Sequence, residues 1–197
     1  MPLSDGDRAL FAALRDEPSQ LQRSLVTAAI LTRALRSLGI EPVVVGGTAV
    51  SFYTGGIYES LDLDLVMPGL QPAAAVLTDL AFARRGAVFR HPRVPVVVDF
   101  PPEPLEGERR LVRTVEVEGV AVRVIGVEDV LLERVFLDEK EGDHRAGDAA
   151  LAMAVAHWDE IDWDYVRGEA GSAAWGTADA LARLVRQAEA LRREAQP

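Results

Sequence analysis

Val43-Val44-Val45-Gly46-Gly47-Thr48-Ala49-Val50 and, shortly after it, Ser60-Leu61-Asp62-Leu63-Asp64-Leu65 decide how this chain is read. The first stretch is a short apolar strand, a Gly-Gly turn and a run of small residues that starts a helix. The second alternates acid with leucine, and residues two apart in a strand share a face. Asp62 and Asp64 are therefore expected on one side, with Leu61, Leu63 and Leu65 pointing into a core.

Two carboxylates on one face repel each other unless a positive charge lies between them. A site built from oxygen ligands alone favours a hard cation, Mg²⁺ or Mn²⁺. Gly46-Gly47 lets the backbone approach a ligand closely, and the helix that follows presents free N–H groups to an anion. Thr48 adds a hydroxyl at the helix start. A Gly-Gly turn and a helix N-terminus beside an Asp-x-Asp strand suit a metal–triphosphate complex, with an NTP as substrate. Val96-Val97-Val98-Asp99-Phe100 then ends an apolar strand on a carboxylate, which is costly unless solvated, paired or metal-bound. If that strand lies beside 61–67, Asp99 joins the other two. Three such carboxylates can hold two cations about 3.5–4 Å apart.

Outward from this centre, residues 5–16, 19–38 and 71–84 read as helices. Strands are expected at 86–90 and 94–100 around His91-Pro92, and at 111–117 and 120–125 around Glu118-Gly119. From Val127 the pattern is helical, over 127–139, 143–157, 161–169 and 175–194. The expected fold is α/β (α+β): a short mixed β-sheet flanked by helices, with a C-terminal helical segment. Residues 1–126 form the α/β core with its N-terminal helices, and 127–197 form a helical cap packed on it.

These motifs resemble the pattern of the DNA polymerase β-like nucleotidyltransferase superfamily, through Gly46-Gly47-Thr48, Asp62-x-Asp64 and Asp99. The similarity is greater to its small bacterial members, which include abortive-infection toxins and minimal nucleotidyltransferases. It continues through Glu128-Asp129-Val130-Leu131-Leu132-Glu133-Arg134 and Arg145-Ala146-Gly147-Asp148, a helix pair in which toxin-like members carry a nucleotide-contacting basic residue and an Arg-x-x-Asp signature. The resemblance implies that Asp62 and Asp64 bind both metals. It also implies that Asp99 binds metal and activates the attacking hydroxyl, and that Gly46, Gly47 and Thr48 hold the β and γ phosphates. Ser60 and Arg134 belong to the same nucleotide-binding set. Two positions depart from the pattern: Tyr58 stands where Arg is frequent, and Arg134 where Lys is usual.

The implied activity is metal-dependent transfer of an NMP to an acceptor hydroxyl on RNA, protein or a small molecule, with a toxin role among the outcomes. The alternative is a degenerate module of the same fold that binds nucleotide or a partner without turnover. A net charge of −10 argues against a footprint for duplex DNA. It leaves room for a tRNA end or a cationic small-molecule acceptor. An antitoxin or a second copy of the chain is the expected protein partner.

Hydrophobic residues make up 49% of the 197, enough for a core. With no Cys, thiolate catalysis and Cys-ligated zinc are excluded. No apolar run reaches the roughly 18–20 residues of a membrane span, and the acidic start is no signal peptide. A cytoplasmic location is the expectation. Arg84, Arg85, Arg90 and Arg93 read as surface charges, and Arg134 needs a partner, either phosphate or a carboxylate near Glu133. Asp143, Arg145 and Asp148 read as an ion-pair cluster at a helix start. His91, His144 and His157 read as structural, and Trp158, Trp163, Tyr165 and Trp175 as core.

Overall fold

The computed structural model describes residues 3–102, 104–105 and 107–195. α1 (Asp5–Ala13) and α2 (Gln20–Leu35) come first, capped by the Ser4 and Ser19 hydroxyls, which accept from backbone N–H groups. A 3-10 turn at Arg36–Leu38 then ends on Gly39 in the left-handed region. β1 (Val43–Val45), α3 (Gly46–Tyr53) and β2 (Asp62–Val66) follow. Then come α4 (Gln71–Asp79), β3 (Ala83–Arg85), β4 (Val88–Arg90), β5 (Val97–Asp99), β6 (Arg113–Val117) and β7 (Val120–Val124). The chain ends in α5 (Val127–Glu141), α6 (His144–Ala156), α7 (Trp163–Ala170) and α8 (Ala178–Glu194).

The strands form one mixed sheet in the order β3-β4-β5-β2-β1-β7-β6. β1 runs parallel to β7 and β2 parallel to β5, while the other neighbours are antiparallel. The central strands carry the core: Val44, Leu63, Leu65, Phe89, Val98 and Val124 are all buried, with α2 laid across β2, β6 and β7. α3 bridges β1 and β2 to α5, and α5 to α8 pack on one another. The Tyr53 hydroxyl donates to the Ile125 carbonyl at 2.6 Å, and His157 Nε2 lies 2.8 Å from the Tyr53 carbonyl oxygen, joining α3 to the start and the end of the α5–α6 pair.

Four expectations are corrected. The helix expected to Arg84 stops at Asp79, because Ala81 takes a positive φ of 66°. Residues 83–85 then form the edge strand β3, which pairs with β4 across Gly86. The strand expected over 94–100 is reduced to Val97–Asp99: Pro95 has no N–H to give, and the Val96 N–H turns back to the Val94 carbonyl at 2.7 Å. Leu61 is 70% exposed, since β2 begins one residue later, while Leu63 and Leu65 are buried as expected. Among the described residues no helix is long and apolar enough to cross a membrane.

Candidate active site

β2 and β5 are parallel neighbours in the register Asp62↔Val97, Leu63↔Val98 and Asp64↔Asp99. Register partners in a sheet point to the same side, so Asp64 and Asp99 stand side by side on the face that Asp62 also shares. Leu63 and Val98 fall on the other face and are fully buried. The apolar half of each strand thus anchors the acidic half. Asp62 is exposed, and Asp64 and Asp99 are half-buried.

On the opposite side of β2, Val45 pairs with Asp64, which brings the turn after β1 over the carboxylate. Gly46 there has φ +57°, and a Cβ on it would lie 2.4 Å from Asp64 Oδ2. A Cβ on Gly47 would lie 2.5 Å from Ser60 Oγ. Both glycines are required by close approach as well as by the turn. The Gly47 N–H donates to the Asp64 carboxylate. Burial is the largest influence on that carboxyl and raises it to about 6, the charges of Asp62, Asp99 and Glu133 adding to the rise and the Gly47 hydrogen bond opposing it.

Thr48 is 1% exposed, and its hydroxyl donates to the Asp62 carbonyl at 2.7 Å. It ties α3 to β2 instead of facing the cleft, a correction to the phosphate role the turn suggested. Ser60 Oγ accepts from the Asp62 N–H at 3.3 Å and borders a hollow shared with Gly47.

Arg134 reaches this region from α5. Its side chain is 17% exposed and pairs with Glu133 at 2.9 Å, and its Nε is buried without a partner. Of the two partners open to it from sequence, the carboxylate is present, and a guanidinium nitrogen is left over. The expected Asp143–Arg145–Asp148 cluster does not form. Asp143 instead caps α6 by accepting from the Ala146 N–H, and Arg145 lines the hollow of about 240 Å³ with Gly47, Ser60 and Arg134.

A larger cleft of about 380 Å³ opens on the other side of Gly47 and Arg134. Gly46, Asp64, Asp129 and Glu133 are among its polar walls, and Pro101, Leu105, Ile125 and Trp175 among its apolar ones. Trp175, read from sequence as core, therefore faces this cleft. Its position depends on how the α7–α8 connection packs, for which the sequence carries no local signal. Asp129, also lining the cleft, is 5% exposed and accepts from the Tyr165 hydroxyl at 2.7 Å and the Glu108 N–H at 3.0 Å. Burial raises its carboxyl above the ordinary range.

Tyr165, read as core, lines a hollow with Trp175, and His144, read as structural, is exposed, whereas the following residues lie as expected. His91 Nδ1 accepts from the Arg93 and Val94 N–H groups in the turn before β5. Trp158 and Trp163 stack with centroids 4.6 Å apart. Arg84 and Arg85 are exposed on the edge strand β3.

The donor set is all oxygen, carries like charges on one face and repels itself, which suits a divalent cation. As placed, no three His, Asp or Glu side chains converge on a common point among the described residues. Asp99 Oδ1 is turned to its neighbour's N–H, Phe100 N, at 2.8 Å.

This architecture is the nucleotidyltransferase fold. The chain is similar to an antigenic nucleotidyltransferase-like protein from Paracoccidioides brasiliensis, at 15% identity and a TM-score of 0.51 over 69% of this chain and 76% of that one. It is similar as well to the antibiotic-resistance factor ANT(2'')-Ia. The solution structure of that protein matches at 14% identity and a TM-score of 0.50, covering 86% of this chain and 96% of that one. Its crystal structure in complex with adenylyl-2''-tobramycin matches at 14% identity and a TM-score of 0.51, covering 73% and 92%. No family model and no curated protein matches the sequence.

Proposed function

We propose that the protein transfers an NMP from an NTP to an acceptor hydroxyl, using Asp62, Asp64 and Asp99. The observation that carries this reading is the register of Asp64 with Asp99 beneath the Gly46-Gly47 turn. Asp62, Asp64 and Asp99 would hold Mg²⁺ or Mn²⁺, which neutralises charge on the triphosphate and acidifies the acceptor hydroxyl. Gly47, Ser60, Arg134 and Arg145 line the hollow beside the turn and receive the β and γ phosphates. The acceptor oxygen bonds to the α-phosphorus, the bond from that phosphorus to the bridging oxygen breaks, and the electron pair leaves with pyrophosphate. Asp99 takes the acceptor's proton. Most of the catalysis is positioning and charge stabilisation.

The acceptor is what separates the outcomes: RNA or protein in the toxin-like branch that Arg134 and Arg145 resemble, or a small molecule. The complex of ANT(2'')-Ia with adenylyl-2''-tobramycin supports a small molecule in that role.

A second reading has one observation in its favour. The Asp99 carboxylate is engaged with its own backbone, as it would be in a module that binds nucleotide without turnover. Incubation with each labelled NTP, Mg²⁺ and a cell extract separates the two. Label moved to an acceptor by the wild type but not by Asp64→Asn supports transfer. A nucleotide- and Mg²⁺-dependent thermal shift with no label moved under any condition supports the binding module.

A further inference from the structure

Between Asp79 and Asp99 the chain carries four arginines, Arg84, Arg85, Arg90 and Arg93, and no Asp or Glu, in a protein whose net charge is −10. All four are exposed, and none enters an ion pair among the described residues. The sheet register divides them. Arg90 pairs with Ala83 on β3 and with Val97 on β5, and Val97 in turn pairs with Asp62. In the next row Asp64 pairs with Asp99, the β4–β5 register brings Val88 opposite Asp99, and Val88 pairs with Arg85. Partners directly across a sheet share a face. Arg85 and Arg90 therefore stand on the face that carries the three aspartates, towards the far end of the rows that begin at Asp64 and Asp62. Half-buried Val88 and Val97 lie between the acids and the arginines. Arg84 falls on the other face. It pairs with Phe89, its guanidinium carbon lies 5.5 Å from the centre of that ring, and its Nε donates to the Gly86 carbonyl at 2.7 Å. The hairpin thus turns two basic groups to the site and one away from it.

The three aspartates lie in the middle of this face. On one side of β2 stand β1, the Gly46-Gly47 turn and the hollow lined by Arg134 and Arg145. On the other stand β5, β4 and β3. In an in-line displacement the attacking and leaving oxygens lie on opposite sides of the phosphorus. With the polyphosphate on the Gly47 side, the acceptor hydroxyl arrives from the strand side, over Val97 and Val88. Arg85 is two strand spacings from Asp99, about 10 Å, and is the diagonal neighbour of Arg90 at about 7–8 Å. Two guanidiniums so spaced match successive phosphates of one strand whose terminal ribose hydroxyl lies at Asp99. They repel a cationic acceptor, and a neutral sugar or a protein hydroxyl brings no phosphate for them to meet. A duplex needs a broader basic face than one hairpin gives on an acidic protein. At 14% identity the tobramycin complex shows the fold, and the acceptor of this chain is read from its own surface.

Resting on the transfer reading above, we infer that Arg85 and Arg90 form a phosphate-tracking surface that leads the end of a single RNA strand to the three aspartates. Each guanidinium meets one backbone phosphate. Arg84, one residue away and of the same charge, takes no part.

The test is a binding measurement on the whole protein without NTP or Mg²⁺, using the anisotropy of a labelled 12-nucleotide single-stranded RNA across a salt series. Two unrelated sequences are expected to bind alike, because backbone contacts do not read bases. Arg85→Gln and Arg90→Gln should each weaken binding about fivefold. Each should also flatten the slope of log affinity against log salt by about 0.7, the value for one phosphate contact on a single strand. Arg84→Gln should change neither, and all three variants, being exposed, should melt with the wild type. With labelled NTP and Mg²⁺, the double variant Arg85→Gln/Arg90→Gln should raise the KM for RNA and leave the KM for NTP unchanged. Absence of RNA binding, an equal loss in Arg84→Gln, an unchanged salt slope in the Arg85 and Arg90 variants, or displacement of the strand by polyglutamate or by a duplex of the same length would each overturn the assignment. The transfer reading fails separately. If the strand binds as stated and no NTP ever donates label, the surface stands and the reaction falls. If label moves to a small molecule or a protein and RNA neither binds nor competes, the reaction stands and the surface falls.

Discussion

Gly46 and Asp64 occupy one space: a Cβ on the first would stand 2.4 Å from Oδ2 of the second. The positive φ of +57° at Gly46 adds a separate cost for any L side chain. Gly46→Ala should therefore lose about 1–2 kcal/mol from backbone strain and also push the Asp64 carboxylate aside. The Asp64 oxygen is the end of a mobile side chain, so the fold survives. The expected result is a modest fall in Tm with loss of any Mg²⁺-dependent stabilisation by NTP. A variant that keeps the NTP response at wild-type strength would show that the Asp64 position is not critical.

Asp64 sets a pH dependence whose sign is fixed by its environment. Burial, with Asp62, Asp99 and Glu133 adding to it, raises the carboxyl from 3.8 to about 6 in the folded protein. The folded state therefore holds the proton more tightly than the unfolded chain. The favourable contribution is complete at low pH, declines as pH rises from about 4 to about 6, and is absent above that. Asp64→Asn removes the ionisation. Without added metal it should melt above the wild type at pH 8, and the gap should close towards pH 4. In the same variant nucleotidyl transfer should be abolished. Equal melting curves at pH 8 would mean that the charge on Asp64 carries no penalty. Transfer at the wild-type rate would remove the proposed mechanism.

The legible parts of this site are local ones. Alternation in Leu61-Asp62-Leu63-Asp64-Leu65 requires no knowledge of neighbours, and a Gly-Gly pair after an apolar run marks a close turn wherever it occurs. Asp99 is different. Its place beside Asp64 depends on parallel pairing of β5 with β2, a contact between segments far apart in sequence, and only the family pattern makes it readable. β3 escapes a sequence reading because Ala83-Arg84-Arg85 is exposed at every position and has no apolar alternation to announce a strand. Trp175 is ambiguous in the same way, because an aromatic residue among helices looks alike whether it faces the core or a cleft. Thr48 sits at the expected helix start but with a different partner. A hydroxyl there can serve a ligand or the neighbouring strand, and the Asp62 carbonyl is nearer.

That hydrogen bond supplies a third prediction. Thr48→Val preserves the shape of a fully buried side chain and deletes only its donation to the Asp62 carbonyl. The expected loss is about 1 kcal/mol, the net worth of one hydrogen bond, since the Asp62 carbonyl keeps the Ser60 hydroxyl as a donor at 3.2 Å. The KM for NTP should change less than twofold, because the hydroxyl faces the strand. A tenfold rise in KM with unchanged stability would restore Thr48 to the phosphate site.

Tyr165 and Asp129 couple the last helices to the cleft, and their pairing should itself depend on pH. The phenol donates to Asp129 Oδ1 at 2.7 Å, and this bond opposes the upward push that burial exerts on the carboxyl. Tyr165→Phe deletes the donor and leaves the Glu108 N–H as the remaining support for a carboxylate that is 5% exposed. The Asp129 carboxyl should then rise further. A group raised in the folded state destabilises the fold as pH increases, so the cost of Tyr165→Phe should be larger at pH 8 than at pH 5. The expected size at pH 8 is about 1.5–3 kcal/mol, the range for a hydrogen bond to a charged group. Asp129→Asn should cost less, because it removes the buried charge and keeps an oxygen acceptor for the phenol. Urea titrations of the three proteins at both pH values measure these differences. An equal cost for Tyr165→Phe at pH 5 and pH 8 would show that Asp129 does not ionise in that interval, and the hydrogen bond would then be one between neutral groups.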